Sequence, residues 1–186
     1  MLGIVRAIRG GRRWLGRRVQ PRRFFRSTVR ANDQAPAVYH IILIGIITAT
    51  LRLALAPTAP PSVGGSTLTG AGVWIAVSGL FIAPIALHLA AALATVMLML
   101  TAPERGGISM TVQVWAYAAT PVVLTGLATP AVTVVALVLA AGLTVIGTAE
   151  VHRLTRARAA LAAAPPIVVV YGVGLGGFAA LAQLVG

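Results

Sequence analysis

The chain has 186 residues, 58% of them hydrophobic and only 10% charged, with a mean hydropathy of +0.92. A water-soluble domain carries about 25% charged residues, so this composition excludes an ordinary soluble globule and points to lipid as the solvent of one membrane domain. There is no cysteine, which excludes a disulfide framework and a thiolate metal site.

The net charge of +12 is unevenly placed. Residues 1–33 hold ten arginines and one acid, Asp33, while residues 34–186 hold five arginines and two glutamates. Every basic residue is Arg and none is Lys, a usage that suits a GC-rich prokaryotic genome. On a soluble protein such an arm would suggest nucleic acid. Beside so much apolar sequence it reads as an interfacial arm, and the expected partner is anionic lipid, with no nucleic acid. The division is therefore a basic arm over 1–33 and a transmembrane domain over 34–186.

Residues 1–20 read as an amphipathic helix, with Ile4, Ile8, Leu15 and Val19 on one face. Gly10 and Gly11 weaken it by roughly 1 kcal/mol each relative to alanine. Pro21 opens a second short element, Arg22-Arg23-Phe24-Phe25-Arg26. Phe24 and Phe25 suit the acyl boundary and the guanidiniums suit phosphates. Arg12-Arg13 and Arg22-Arg23 imitate a twin-arginine export signal, and Ala54-Leu55-Ala56 a cleavage site. The charged region is too long for one and Pro57 would follow the cut, so the first span is expected to be retained.

Five spans follow. The first covers about Pro36–Ala56, with Arg52 near its far end as a snorkelling anchor or a buried functional charge. Residues 57–70 are rich in Pro, Gly, Ser and Thr and read as an outer loop. Residues 71–103 carry no formal charge and no turn signal. One tilted or Pro84-kinked helix fits them better than two. The break Gly126-Leu127-Ala128-Thr129-Pro130 divides the next stretch into spans of about 110–128 and 130–149. Glu150, His152, Arg153, Arg156 and Arg158 form an inner loop, and Pro165-Pro166 starts a fifth span over about 166–185. With the N-terminus inside, inner segments carry fourteen arginines and outer ones none apart from Arg52. That asymmetry sets the N-terminus in the cytoplasm and the C-terminus outside the cell membrane.

The stretch from Gly106 to Pro121 organises the chain. The double-glycine turn Gly106-Gly107 ends the long apolar run just past Glu104 and Arg105, and a new apolar helix follows that carries Tyr117 and, four residues on, Pro121. The two share a helix face, and Pro121 removes the N–H that would pair with the Tyr117 carbonyl. The freed carbonyl needs a donor from a neighbouring helix or water. This double glycine before Tyr-x-x-x-Pro resembles the Yip family of polytopic membrane proteins, whose eukaryotic members associate with Rab GTPases. Pro21-x-x-Phe24-Phe25 resembles the lead into their first span. The resemblance covers roughly residues 21–186 and implies a cytosolic N-terminus, five spans and a non-enzymatic scaffold or trafficking role. Rab binding does not carry over, because its determinants are not identifiable in these residues.

Other motifs have plainer readings. Gly172-Val173-Gly174-Leu175-Gly176-Gly177 matches G-x-G-x-x-G literally. A dinucleotide site also needs a βαβ unit and an acid about 20 residues on, and nine residues follow Gly177 here. Gly172 and Gly176 read instead as a small-xxx-small helix-packing pair, as do Ala86, Ala90 and Ala94. His88 lies mid-span and is either a structural imidazole, satisfied by a carbonyl or the Tyr117 hydroxyl, or a proton- or substrate-handling group. The alternative function is therefore a small transporter or permease subunit using His88. With no three-ligand cluster and no intramembrane carboxylate, no catalytic residue, metal or cofactor is expected. Further partners would be other membrane proteins or a second copy of the chain.

Overall fold

The computed structural model describes residues 20–55, 62–102 and 105–186. The amphipathic segment expected over 1–20 lies outside these residues except for Gln20. A short arm helix, α1 (Pro21–Thr28), leads in. Five helices long and apolar enough to cross a membrane follow: α2 (Ala35–Leu55), α3 (Thr67–Thr101), α4 (Ile108–Leu127), α5 (Pro130–Val151) and α6 (Arg156–Gly174). A last helix, α7, covers Gly177–Val185. The fold is the expected all-α membrane bundle of five spanning helices. Leu89, Leu100 and Val138 are exposed on its outside, as lipid-facing residues should be.

Alternation of the spans defines two ends. The arm end holds α1 and the α3–α4 and α5–α6 connections. The far end holds the α2–α3, α4–α5 and α6–α7 connections. The centre is α4: 61% of its apolar window is buried, against 33% for the next helix, α5. Val112, Val114, Trp115, Ala116 and Ala118 are all buried there.

Residues 67–101 form one helix, and its irregularity precedes Pro84. Ser78–Ile82 takes π geometry, and the Ala83 N–H reaches back to the Ser78 carbonyl. Pro84 has no N–H to continue the α ladder, and a π turn is a common local adjustment. At this bulge α3 crosses α2 backbone to backbone. A Cβ on Gly45 would lie 2.9 Å from Ala83 Cβ and 3.1 Å from Gly79 Cα, and one on Gly79 would strike Ile46.

The fifth span differs from its sequence reading. It begins at Arg156, not near 166, because Thr155 caps it: its hydroxyl accepts the Arg158 N–H at 3.4 Å. Pro165 and Pro166 sit inside the helix, whose last turns over Val168–Gly174 relax to π geometry. The helix stops before 185 because Gly176 turns left-handed, with φ +71°. That residue breaks the helical periodicity between Gly172 and Gly176, so the two do not form one packing stripe. Gly172 instead leaves room for the Phe178 ring of α7, and Gly176 has open space where a side chain would be.

Candidate functional site

At the arm end α1 is docked against α5. Phe25 is buried and Phe24 exposed, at 2% and 44%. The slot for Phe25 exists because residue 147 is glycine. A Cβ there would lie 2.9 Å from the Phe25 ring and 2.8 Å from Val114. Gln113, fully buried on α4, holds the chain just after α1. Its amide oxygen accepts the Arg30 N–H at 3.0 Å, and its amide nitrogen donates to the Arg30 carbonyl and to the Ser109 carbonyl. Glu150, at the last turn of α5, meets Arg22 at 3.3 Å and also Arg26. A carboxylate at a helix C-terminus is disfavoured by the helix dipole. Two guanidiniums, four residues apart on one face of α1, offset that repulsion. Phe25, Arg26, Met110, Glu150 and Arg153 line an open cavity of about 550 Å³ beside the dock.

The two sequence landmarks reach the same end by separate contacts. Phe24 stands edge-on to Tyr117, with ring centroids 5.6 Å apart, and Tyr117 lies 5.5 Å from the ring of His40. The Tyr117 carbonyl freed by Pro121 takes its hydrogen bond from the Thr120 hydroxyl at 2.7 Å, a local donor and not one from another helix. Since that hydroxyl donates to Tyr117, it accepts from His40 Nε2, 3.1 Å away. From Thr120 to Leu127 the helix tightens to 3₁₀ form.

Gly106 packs against Met110 and His152, and a Cβ there would lie 2.9 Å from the Met110 sulfur. Its N–H donates to His152 Nδ1 at 3.1 Å. That bond leaves the neutral ring's proton on Nε2, which donates to the Thr111 hydroxyl at 3.3 Å. Burial, helped by the Arg105 charge, holds the His152 pKa down to about 4. Gly107 is exposed and stands at the N-terminus of α4, its carbonyl accepting the Met110 N–H at 3.0 Å.

Phe24, Phe25, Gly106, Gly107 and Tyr117 thus gather at the arm end, with Pro121 one turn deeper. His88, Gly172 and Gly176 do not join them. His88 lies exposed on the side of α3, its Nδ1–H donating to the Pro84 carbonyl at 2.8 Å. Among the described residues no three His, Asp or Glu side chains converge as metal ligands. The dock's own fasteners, Gln113, Gly147 and Glu150, and His152, which ties Gly106 and Thr111 to the end of α5, were not singled out by sequence reasoning. A lone amide within an apolar span, and a lone acid opposite an arginine-rich arm, were the available signals.

A family model described as the Yip1 domain matches residues 19–177. The chain belongs to the Yip1-domain family. No curated protein and no solved structure matches it. The matched region runs from just before α1 to the first residue of α7, so the docked arm and all five spanning helices are parts of the Yip1 domain. The double glycine and the Tyr117/Pro121 step therefore lie inside the domain, and Tyr117 packs against Phe24 of the arm.

Proposed function

We propose that this Yip1-domain protein is a non-enzymatic scaffold, a membrane organisation or trafficking factor whose working surface is the docked arm. The observation that carries the reading is the double hold on α1. Gln113 fixes the Arg30 backbone and Glu150 fixes Arg22 and Arg26. Those holds keep Phe24, Arg23 and the rest of the basic face presented on a rigid platform. Arginine asymmetry supports an arm end in the cytoplasm, in a multi-pass protein of the cell membrane with its C-terminus outside. Anionic headgroups and other membrane proteins, or a second copy of the chain, are the partners such a face suits. The transporter reading loses its polar handle, since His88 is on the bundle's outer side and already bonded to Pro84.

Crosslinked recovery from native membranes tests this. Wild type, Gln113→Leu and His88→Gln are compared for a reproducible partner set and for growth phenotype. Partner recovery should fall in Gln113→Leu and hold in His88→Gln. Loss of phenotype in His88→Gln with normal partner recovery would replace the scaffold with a transporter. Labelling of a single cysteine at position 107 or 156 from outside the cell would reverse the topology.

A further inference from the structure

Two cavities at the far end meet at Arg52, and their chemistries differ. One, of about 630 Å³, is an apolar groove bounded by α2, α3, α4 and α6, with Ile44, Trp74, Ala86, Leu87 and Trp115 among its walls. The other, of about 480 Å³, is of mixed character and carries more hydroxyls. Thr125, Thr129 and Thr133 line it, with Gln183 of α7. Thr48, Arg52, Val122, Gly174 and Leu175 border both. Each volume lies within the range of about 300–1,000 Å³ usual for ligand pockets.

We propose that this pair is a binding site for one anionic phospholipid with a hydroxylated headgroup, drawn from the leaflet at the far end. An acyl chain fills the apolar groove. The phosphate meets the Arg52 guanidinium at the junction, where its planar donor fork suits phosphate oxygens. The headgroup hydroxyls reach Thr129, Thr133 and Gln183 in the threonine-bearing chamber. Three features point to this occupant. Polarity changes from apolar to hydroxyl-rich across a single border. Among the described residues that line either cavity, the one formal charge is the positive Arg52, and it stands at that border. Arg52 also lies on α2 near the level where a lipid phosphate would sit, within four residues of the end of that helix at Leu55. The site is at the opposite end of the bundle from α1, so it is separate from any headgroup binding by that helix.

The groove carries its own reporters. Trp74 and Trp115 both line it, and Trp14 → Phe removes the third tryptophan of the chain. The full chain bearing this change is placed in nanodiscs of neutral lipid. Phosphatidylglycerol brominated on its acyl chain is titrated in, against phosphatidylcholine brominated identically. Phosphatidylglycerol should quench at about tenfold lower mole fraction than phosphatidylcholine. Arg52→Gln should remove that preference, and Arg52→Lys should retain part of it. Ala86→Leu, which fills the groove, should reduce quenching by either lipid. Arg22→Gln with Arg23→Gln, at the arm end, should leave the preference in place. Melting of each variant confirms that it folds. Equal quenching by both lipids, a preference that survives Arg52→Gln in a folded protein, or a preference lost with the arm substitutions would each overturn the proposal.

Discussion

Gln113 binds both polar atoms of the Arg30 backbone, taking its N–H on one side and its carbonyl on the other. One side-chain amide in the central helix thus does for the arm what a strand partner does in a sheet. The fixed point lies two residues past the end of α1, so the helix is held at its C-terminal side by Gln113. At its first two turns it is held by Glu150.

Removing this amide should loosen the arm before it loosens the bundle. Gln113→Leu leaves the Arg30 N–H and carbonyl without their partner, a loss of roughly 1–3 kcal/mol for the two bonds together. Trypsin should cut after Arg26 and Arg30 several-fold faster in detergent, while the bundle's melting temperature falls only slightly. Glu150→Gln should act in the same direction and less than additively, because both side chains fasten one helix. Cleavage rates equal to wild type in both variants would mean the arm is held elsewhere.

His152 ties stability to pH. Its folded pKa, near 4, lies below its ordinary value of 6.5. Between these limits the unfolded chain binds the extra proton and the folded chain does not. The contribution is therefore complete above about pH 6.5 and is lost as pH falls towards 4. A depression of that size is worth on the order of 3 kcal/mol. Melting of the detergent-purified protein should drop across this window. His152→Asn, which keeps an acceptor for the Gly106 N–H without titrating, should flatten the profile there.

The crossing of α2 and α3 should tolerate no added bulk. Gly45→Val places carbon within 3 Å of Ala83 Cβ and against the Gly79 backbone, and should cost about 1–3 kcal/mol. Gly72→Ala, on the crossing partner α3 with open space at its Cβ, is the control and should melt like wild type or slightly higher. Equal melting of Gly45→Val and wild type would mean that the two backbones do not approach.

Pro121 sets the pitch of the lower half of α4. An α helix rises about 1.5 Å per residue and a 3₁₀ helix about 2.0 Å. Regularising the eight residues Thr120–Leu127 would shorten the segment by roughly 4 Å. Gly126 would then leave its seat against Thr48, where a Cβ would now lie 2.8 Å from the Thr48 carbonyl. Pro121→Ala restores the helical N–H and should lower the melting temperature and partner recovery together. It should also change amide-exchange protection over 120–127. An unchanged exchange pattern would show that the 3₁₀ form does not depend on this proline.

By itself the sequence determined the solvent, the number of crossings and the family. Those properties follow from local composition: a charge-free stretch of sufficient length must satisfy its backbone internally, and only a helix does so within one segment. The Gly106–Pro121 pattern is likewise local, and it pointed to the Yip resemblance. Only the tertiary structure decided what each residue touches. Pro165-Pro166 read as a helix start because proline suits a first turn. In the folded chain Thr155 had already capped α6, and relaxed π geometry follows the prolines. Gly172 and Gly176 matched a packing spacing that assumes an unbroken helix, and the left-handed turn at Gly176 removed that assumption. Gln113 with Arg30, Phe25 with Gly147, Glu150 with two arginines, and Gly45 with Gly79 all join residues distant in sequence. No periodicity encodes such pairs, because each depends on which helix faces become neighbours once the bundle is packed.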